Sequence, residues 1–290
     1  MSRMEVGVVG IGVIGIGVVQ ALAEAGHRVV AVDRSDEILS SARHTIAENV
    51  RLQRLFRKPA TLPADQILDN IVPTTDLDSL SGASVVIENV TEKWEVKRVV
   101  YERLDAVCRK DAVLAANTSV IPIARLATLT DAPERVIGLH FMNPVPLKSV
   151  VEVIRGPQTS TATLERAAAL LRTMGKEGIV VNDSPGFVSN RVLMLAINEA
   201  IRLVDERVAP SEDIDRIFTT CLGHKMGPLA TADLIGLDTI LFSIEALNEH
   251  LTQARIAVSP LLVRMVAAGH LGCKSGHGFY TYQGQGRDRQ

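Results

Sequence analysis

The sequence contains few cysteines and no excess of either charge. The three cysteines, Cys108, Cys221 and Cys273, lie far apart, so none has a close partner at the spacing of a metal site or a redox motif. We therefore expect ordinary reduced thiols, no bound metal and a location in the cytoplasm. The formal net charge is -2, and the sequence has no long run of lysine and arginine. This balance gives no electrostatic basis for binding nucleic acid.

A membrane span is not expected either. Residues 6–23 carry no charge and satisfy the length criterion for a transmembrane helix. Glycines nevertheless interrupt this stretch at short intervals, at Gly7, Gly10, Gly12, Gly15 and Gly17. The stretch also lacks the basic segment and the small-residue cleavage site that frame a signal peptide. We expect a buried strand, a turn and a helix here, and neither a membrane span nor a targeting segment.

What the sequence does contain is the alternation of an α/β fold. At 290 residues the chain is long enough for two domains, and its first part alternates short β-branched runs with longer amphipathic stretches. This pattern is typical of βαβ units around a parallel sheet. We predict strands at Glu5–Val9, Arg28–Val32, Val85–Glu88, Ala112–Ala115, Val136–His140, Val150–Ile154 and Gly178–Val181. We predict helices at Ile14–Ala25, Asp36–Phe56, Lys93–Cys108, Ile121–Ala127 and Ser160–Met174.

The pattern changes after Ser184. From Gly186 onward the apolar spacing is helical. We predict further helices at Val188–Asp205, Ser211–Cys221, Ala232–His250 and Pro260–Ala268. The predicted fold class is therefore α/β, with a Rossmann-type doubly wound sheet in residues 1–184 followed by an all-helical C-terminal domain in residues 185–290.

A glycine-rich turn follows the first predicted strand and opens the first predicted helix. Its sequence is Gly10-Ile11-Gly12-Val13-Ile14-Gly15. In a dinucleotide-binding turn the first glycine permits a tight turn, the second lets the backbone approach a pyrophosphate, and the third allows close packing of helix on strand. The helix start at Val13 and Ile14 supplies amide donors and a partial positive charge. The first domain is therefore predicted to bind a dinucleotide.

Asp33 indicates which dinucleotide is bound. It ends the second predicted strand, about twenty residues after the turn, where an acidic residue binds the ribose hydroxyls of NAD. Its carboxylate would repel the 2′-phosphate of NADP. Arg34 could meet such a phosphate, but the acid comes first. We therefore expect NAD as the cofactor.

His140 would lie at the carboxyl end of a strand, the edge at which open α/β sheets bind ligands. A histidine in such a place is by itself more often structural than catalytic. The residues around it and the motifs elsewhere in the chain therefore decide its interpretation.

Several separate motifs give the sequence a resemblance to a known family. Besides the glycine turn with Asp33, they are Glu88-Asn89-Val90-Thr91-Glu92, Ala116-Asn117-Thr118-Ser119, Gly138-Leu139-His140-Phe141-Met142-Asn143-Pro144 and Ser184-Pro185-Gly186-Phe187-Val188-Ser189-Asn190-Arg191. Later motifs are Met226-Gly227-Pro228, residues 233–239 and residues 274–280. Over essentially its whole length the chain resembles 3-hydroxyacyl-CoA dehydrogenases. The resemblance implies an NAD-linked interconversion of a 3-hydroxyacyl thioester and its 3-oxoacyl form.

The resemblance also implies roles for four residues. His140 would be the general base, because a secondary alcohol loses hydride readily only as its hydroxyl proton leaves, and imidazole is a suitable acceptor near pH 7. Glu152, on the next predicted strand, would stabilise the imidazolium and fix its tautomer, as an acid does in hydrolase triads. Ser119 and Asn190 would hydrogen-bond the substrate oxygens. The alternatives are a helix cap for Ser119 and a purely structural polar residue for Asn190.

By the same resemblance, Glu92, Lys97 and Asn117 would line the cofactor. From the sequence alone, Glu92 and Lys97 would equally suit a solvated pair at the start of a helix.

Two departures from the usual family sequence concern the group that carries the acyl chain. Leu147-Lys148-Ser149 stands where a methionine–lysine pair is usual, and residues 51–63 replace the basic segment that reaches coenzyme A. Arg54 and Lys58 in that segment are candidates for binding a phosphorylated substrate arm, or else belong to a solvated helix face. Residues 51–63, together with residues 91–97 and 224–231, resemble a branch that oxidises a hydroxyacyl group on an acyl carrier protein for polyketide extender units. The expected partner is therefore an acyl-CoA or an acyl-carrier-protein thioester.

Two other classes of function stay open. A dehydrogenase of free hydroxy acids should show a basic residue that fixes the substrate carboxylate, and none is identifiable in the sequence. A non-catalytic dinucleotide-binding protein would not need the full set of proposed site residues.

Finally, the resemblance implies a homodimer through residues 185–290, where Leu237–Leu247 offers an apolar helical face. The alternative is that this face packs only on its own domain.

Overall fold

The computed structural model describes residues 3–56, 62–251 and 256–282, and the side chains of residues 54–56 lie outside that description. The chain divides into two compact units, Met1–Ser184 and Pro185–Gln290. Within the described ranges, no helix combines the length and the hydropathy needed to cross a membrane.

The strands of the first unit form one eight-stranded sheet. Their bounds are β1 Glu5–Val9, β2 Arg28–Val32, β3 Ile71–Thr74, β4 Val85–Glu88, β5 Val113–Ala116, β6 Val136–His140, β7 Val150–Arg155 and β8 Glu177–Asn182. Their order across the sheet is β3-β2-β1-β4-β5-β6-β7-β8, and all neighbours are parallel except β6 and β7. The chain reverses its direction of winding between β1 and β4. In such sheets, ligands bind outside the carboxyl ends of the strands at this switch point.

Helices follow most of the strands. In the first unit they are α1 Val13–Glu24, α2 Asp36–Phe56, α3 Ala64–Asp69, α4 Trp94–Val107, α5 Ile123–Ala127 and α6 Thr161–Thr173. The side chains of Val6 and Val8 on β1 share one apolar core with Val18 and Leu22 on α1 and Val29 on β2. β-branched residues suit strands that are buried in this way. The Rossmann-type α/β fold expected from the sequence is confirmed.

The pairing of β6 with β7 departs from the parallel pattern of the remaining strands. Between them the chain forms only a short 3₁₀ turn at Val145–Leu147. A parallel pair needs a crossover connection of about a dozen residues or more, and this segment is too short to provide one. The chain therefore returns antiparallel, and His140 lies directly opposite Glu152 in the ladder.

One strand and one short α-helix of the first unit were not predicted, and one helix predicted for the second unit is wrong. β3 contains Pro73 and lies at the sheet edge, where a residue without an N–H is tolerated. The short helix α3 follows directly after Pro63. In the second unit, the single helix predicted from Ala232 to His250 is two helices, because Gly236 adopts a φ of 102° and interrupts the helical path.

The second unit is helical in its described part. Its helices are α7 Ser189–Asp205, α8 Ser211–Thr220, α9 Pro228–Ile235, α10 Leu237–His250 and α11 Pro260–Ala267. Buried Asp233 on α9 accepts the backbone N–H groups of Phe279 and Tyr280 and the hydroxyl of Tyr282. A Cβ atom at Gly278 would overlap the Asp233 carboxylate. The packing of this C-terminal segment against α9 therefore explains why residue 278 is a glycine.

The apolar face of α10 packs inside its own unit. Leu237, Ile240, Ile244 and Leu247 are all buried, and α10 contacts α7, α9 and α11. The sequence predicted this face as a dimerisation surface, with packing on its own domain as the alternative. The structure favours the alternative, because these four side chains are covered by neighbouring helices.

Buried His27 makes the stability of the fold depend on pH. Its Nδ1 accepts the Met4 N–H at 3.3 Å, and its Nε2 lies 2.6 Å from Thr173 Oγ1. An imidazole that accepts at Nδ1 is neutral, with its proton on Nε2. Burial lowers the pKa of His27, so the unfolded chain binds a proton more readily than the folded chain. This contribution to stability is present at neutral pH and is lost as the pH falls below the ordinary histidine value of about 6.5.

We therefore predict that His27→Gln weakens the acid sensitivity of the fold. The glutamine can accept and donate similar hydrogen bonds but does not titrate. Between about pH 7.5 and pH 5.5, the free energy of unfolding should fall more for the wild type than for the variant, as measured by urea denaturation at each pH. His44 is exposed, so His44→Gln is the matched control and should follow the wild type. Equal losses in His27→Gln and the wild type would contradict the prediction.

Candidate active site

The glycine turn joins β1 to α1 at the switch point of the sheet. Gly10 has a φ of 86°, and a Cβ atom there would lie 2.7 Å from the backbone nitrogen of Val90. A Cβ atom at Gly15 would overlap the carbonyl oxygen of Gly10, whereas one at Gly12 would meet nothing within 4 Å. The fold therefore requires the first and third glycines, while the second borders open space.

This open space fits a dinucleotide. Among the described residues no side chain caps the start of α1, and Val13 at its first position is 72% exposed. The first N–H groups of a helix have no acceptor inside the helix and bind phosphate readily. Asp33 lies beside the turn, since its Oδ2 accepts the Ile11 N–H at 2.6 Å. Gly12, Val13 and Ile14 would hold the pyrophosphate of NAD, and the Asp33 carboxylate has further lone pairs for the ribose.

His140 and Glu152 form a buried pair at the carboxyl end of β6. His140 Nδ1 lies 3.0 Å from Glu152 Oε2, and His140 Nε2 lies 3.0 Å from Ser119 Oγ. The two residues are only 7% and 9% exposed. Because a carboxylate accepts and does not donate, the proton of the neutral ring belongs on Nδ1, and Nε2 of that tautomer carries the lone pair. The arrangement therefore provides a proton acceptor whose tautomer is set by Glu152.

Ser119 does not cap a helix in the structure. The Ile121 N–H in this segment donates to Thr118 Oγ1 at 3.0 Å. α5 begins later, at Ile123, after Pro122. The hydroxyl of Ser119 lies instead within hydrogen-bonding distance of the imidazole. The interpretation of Ser119 as only a cap is therefore wrong.

Glu92 binds the backbone of the segment that carries Ser119. Its Oε1 accepts the N–H groups of Ser119 at 3.1 Å, Val120 at 3.2 Å and Ile121 at 3.4 Å, and also the hydroxyl of Thr118. One carboxylate oxygen thus accepts from three consecutive N–H groups, of which that of Ile121 is shared with Thr118 Oγ1. Glu92 is already engaged by the protein and holds this segment in place.

Lys97 is fully buried beneath the same segment. Its Nζ lies 2.8 and 2.9 Å from the two carboxylate oxygens of Glu88 and donates to the carbonyl oxygen of Asn117 at 3.2 Å. Glu92 Oε2 is 3.6 Å away. The interpretation of Lys97 as part of a solvated pair is therefore wrong. The predicted contact of Lys97 with the cofactor has no exposed atom to support it in this structure.

Asn117 connects three strand ends. Its Nδ2 donates to Asn89 Oδ1 at 2.8 Å, and its Oδ1 accepts the Phe141 N–H at 3.1 Å. These residues directly follow β4, β5 and β6. The side chain therefore fixes the spacing of the sheet edge on which His140 lies.

The only tryptophan of the chain lies next to this segment. Trp94 begins α4, two positions after Glu92, and the Arg125 guanidinium of α5 lies 3.7 Å above its ring. Such cation–π contacts contribute about 0.5–1 kcal/mol at partly exposed sites. The contact joins the start of α4 to the helix that follows Ser119.

The remaining predicted site residues are Asn190, Arg54 and Lys58. Asn190 lies in the first turn of α7, in the second unit, and its role stays a prediction. The side chain of Arg54 and the whole of Lys58 lie outside the described residues. Their contact with a substrate arm is likewise still a prediction.

Sequence reasoning missed the contributions of Glu88, Asn89 and Thr118. The motifs that contain them were noted, but no role was assigned to them. Glu88 offered one usable signal, since it is an acidic residue that ends an otherwise apolar strand run. An acid in such a place requires a buried partner, and the nearby lysine of the next helix supplies it.

A Rossmann-type sheet, a turn that fits NAD and a buried imidazole held by a carboxylate define the protein as an NAD-dependent dehydrogenase. Comparison with known proteins identifies the family. The family description "3-hydroxyacyl-CoA dehydrogenase, NAD binding domain" matches residues 5–184, and "3-hydroxyacyl-CoA dehydrogenase, C-terminal domain" matches residues 186–282. The chain belongs to the 3-hydroxyacyl-CoA dehydrogenase family.

Individual relatives agree with this assignment. The 3-hydroxybutyryl-CoA dehydrogenase of Bradyrhizobium diazoefficiens is 44% identical, over 97% of this chain and 96% of its own length. The human mitochondrial hydroxyacyl-coenzyme A dehydrogenase is 35% identical, over 96% of this chain and 91% of its own. The crystal structure of (S)-3-hydroxybutyryl-CoA dehydrogenase from Ralstonia eutropha superposes with a TM-score of 0.91 at 39% identity, and covers 98% of this chain and 100% of its own.

The contrast between two glycines gives a test of the cofactor site. We predict that Gly12→Ala keeps the fold but raises the Kd for NADH about tenfold or more, because the new methyl group fills the space left for the pyrophosphate. Titration of NADH fluorescence measures the Kd, and thermal denaturation measures the Tm. Gly15→Ala should instead lower the Tm, since its Cβ atom overlaps backbone. Unchanged NADH affinity in a folded Gly12→Ala protein would place the pyrophosphate elsewhere.

Proposed function

We propose that the protein interconverts 3-hydroxyacyl-CoA and 3-oxoacyl-CoA with NAD, and that His140 is its general base. The observation that carries the proposal is the buried imidazole with Glu152 on one ring nitrogen and Ser119 on the other. Membership of the family supports the reaction, and the relatives named for 3-hydroxybutyryl-CoA favour a short acyl chain.

The pair of residues accounts for the proton that the reaction releases. When bound, NAD supplies the acceptor for the hydride from the carbon that bears the hydroxyl. His140 Nε2 takes the hydroxyl proton, and the imidazolium that forms is stabilised by Glu152 through the Nδ1 proton. Because both side chains are nearly buried, their attraction is weakened little by solvent. In the reverse direction His140 returns the proton to the substrate oxygen.

Ser119 and Asn190 complete the proposal as hydrogen-bond partners of the substrate oxygens. The Ser119 hydroxyl lies 3.0 Å from the base, so an oxygen that is bound by Ser119 is also within reach of His140. Preorganised donors of this kind stabilise charge that develops on a carbonyl oxygen. The proposed role of Asn190 rests on the family resemblance alone.

Coenzyme A is the thioester carrier that we propose. The names of the relatives refer to CoA thioesters, and they give no support to the acyl-carrier-protein alternative. Arg54 and Lys58 are proposed to contact the phosphates of the carrier arm. Arg51, one helical turn before Arg54 on α2, is exposed and belongs to the same basic stretch of the sequence. We also keep the cytoplasm as our proposed location, in line with the three free cysteines.

An absorbance assay tests the function. We expect NADH consumption with acetoacetyl-CoA, and His140→Gln should lower kcat by at least about a hundredfold with the Kd for NADH nearly unchanged. A carrier-protein thioester and free hydroxy acids are the comparison substrates, and His44→Gln on the exposed surface is the matched control. Undiminished kcat in His140→Gln would remove this residue from the mechanism, and preference for a comparison substrate would overturn the choice of CoA.

We further propose a homodimer through the second unit, although not through the face of α10 that suggested it. α7 exposes Val192, Leu193 and Leu195, and α8 exposes Ile217. Exposed apolar side chains that cluster, as the three within one turn of α7 do, mark surfaces for protein association. A second copy of the chain is the occupant that the family resemblance implies.

Sedimentation tests this proposal. The wild type should sediment at twice the 31.3 kDa mass of the chain, and Val192→Glu combined with Leu195→Lys should shift it to the monomer, because charges would be buried in the interface. Val99 is equally exposed in the first unit, so Val99→Glu is the control and should leave the dimer intact. A monomeric wild type would contradict the dimer itself.

A further inference from the structure

A buried charge pair lies behind the proposed site without a role in the reaction as described so far. Lys97 and Glu88 have no exposed surface, and the Lys97 ammonium contacts both oxygens of the Glu88 carboxylate. Two charges buried in this way carry a desolvation penalty, and such pairs are often no more stabilising than apolar residues of similar size. Stability alone is therefore a weak reason for their presence.

The contacts of Lys97 lead toward Ser119 along two routes. The first is direct, because Lys97 Nζ donates to the carbonyl oxygen of Asn117, two residues before Ser119. The second passes through Glu92, whose Oε2 lies 3.6 Å from Lys97 Nζ and whose Oε1 accepts the N–H of Ser119 itself. The single ammonium thus fixes both the start of the segment 117–121 and the carboxylate that binds its N–H groups.

Glu88 holds the ammonium in the place from which it makes these contacts. Its carboxylate also accepts the Val90 N–H at 2.6 Å, and its backbone carbonyl accepts the Asn117 N–H at 2.8 Å. Glu88 is therefore tied at both ends to the strand edge. Burial raises the pKa of Glu88, while the adjacent Lys97 ammonium opposes that rise.

We propose that Glu88, acting through Lys97, is a positioning residue that sets the distance between Ser119 Oγ and His140 Nε2. The inference rests on the proposed function, since it assigns Glu88 a part in the work of the Ser119–His140 pair. It also gives Lys97 a role that requires no contact with the cofactor. A displacement of about an ångström between reacting groups is enough to lower a rate by orders of magnitude.

The first test is a double-mutant cycle between Glu88→Gln and Ser119→Ala. In the wild-type background Glu88→Gln should lower kcat about tenfold or more, with the KM for acetoacetyl-CoA and the Kd for NADH changed by less than about threefold. In the Ser119→Ala background the same substitution should change kcat by less than about twofold, because the hydroxyl on which it acts is already absent. An equal loss in both backgrounds would overturn the proposal.

A neighbouring residue supplies the matched control. Tyr101 lies one helical turn beyond Lys97 on α4, is fully buried, and its hydroxyl has no hydrogen-bond partner among the described residues. Burial, with a smaller contribution from the Glu88 charge, raises the pKa of this phenol, so it is neutral. Tyr101→Phe changes the same buried layer without touching the charge pair and should keep wild-type kcat.

A second variant covers the case in which Glu88→Gln does not fold. Glu88→Gln combined with Lys97→Met removes both buried charges, so no unpaired charge is left and the Tm should recover relative to either single variant. The kcat should stay low, because Asn117 and Glu92 still lack the ammonium. Wild-type kcat in this protein would show that the pair is only structural. A raised Kd for NADH with unchanged kcat at saturation would show that Lys97 serves the cofactor directly.

Hydrogen–deuterium exchange separates this inference from the proposed function. In Glu88→Gln, or in the double variant, the amides of Ser119, Val120 and Ile121 should exchange at least about threefold faster, while those of β1 and α1 stay protected. This result does not depend on turnover. An inactive wild type would therefore refute the reaction but leave the positioning role testable. Unchanged exchange at these three amides would refute the positioning role whatever the activity.

Discussion

The antiparallel pairing of β6 with β7 is the constraint on which the rest of the site depends. The segment between them is too short to cross the sheet, so the chain folds back and places Glu152 beside His140 in register. Residues directly opposite each other in such a pair have neighbouring side chains on the same face of the sheet. A slip of one residue would move Glu152 to the other face. The tautomer of the base is therefore determined by strand pairing, which is more rigid than a loop would be.

The second constraint is the way in which negative charge is accommodated near the imidazole. Glu152 is bound by His140, Glu92 by consecutive backbone N–H groups, and Glu88 by a lysine. Each carboxylate already has a hydrogen-bonding partner. None of them therefore competes with His140 for the proton that the substrate hydroxyl releases. In a site of low dielectric, an unpaired polar group is costly and a fully paired network is rigid. The same pairing that satisfies these charges also fixes the reacting groups.

The sequence predicted those features that have local signals. The glycine turn, Asp33 and the elements around them follow from spacing and residue type, and the roles of His140 and Glu152 were implied by the family resemblance. The direction of β7 was not predicted, because period-two patterns are the same for parallel and antiparallel strands. The burial of Lys97 was not predicted either, since a lysine in the first turns of a helix has the same appearance whether its partner is water or Glu88. Contacts between the ends of different strands depend on how the strands are arranged in the folded sheet. The spacing of residues along the sequence does not specify that arrangement.

The stacking of Arg125 on Trp94 has a practical consequence. Indole fluorescence responds to a nearby cation and to solvent, and this chain has a single indole. The stacked pair lies next to the segment that carries Ser119, because Trp94 begins α4 two residues after Glu92 and Arg125 belongs to the helix that follows Ser119. The protein therefore contains a natural optical reporter at the place where ligand-induced movement would matter most. Emission spectra could follow that movement in the unlabelled, unmodified chain.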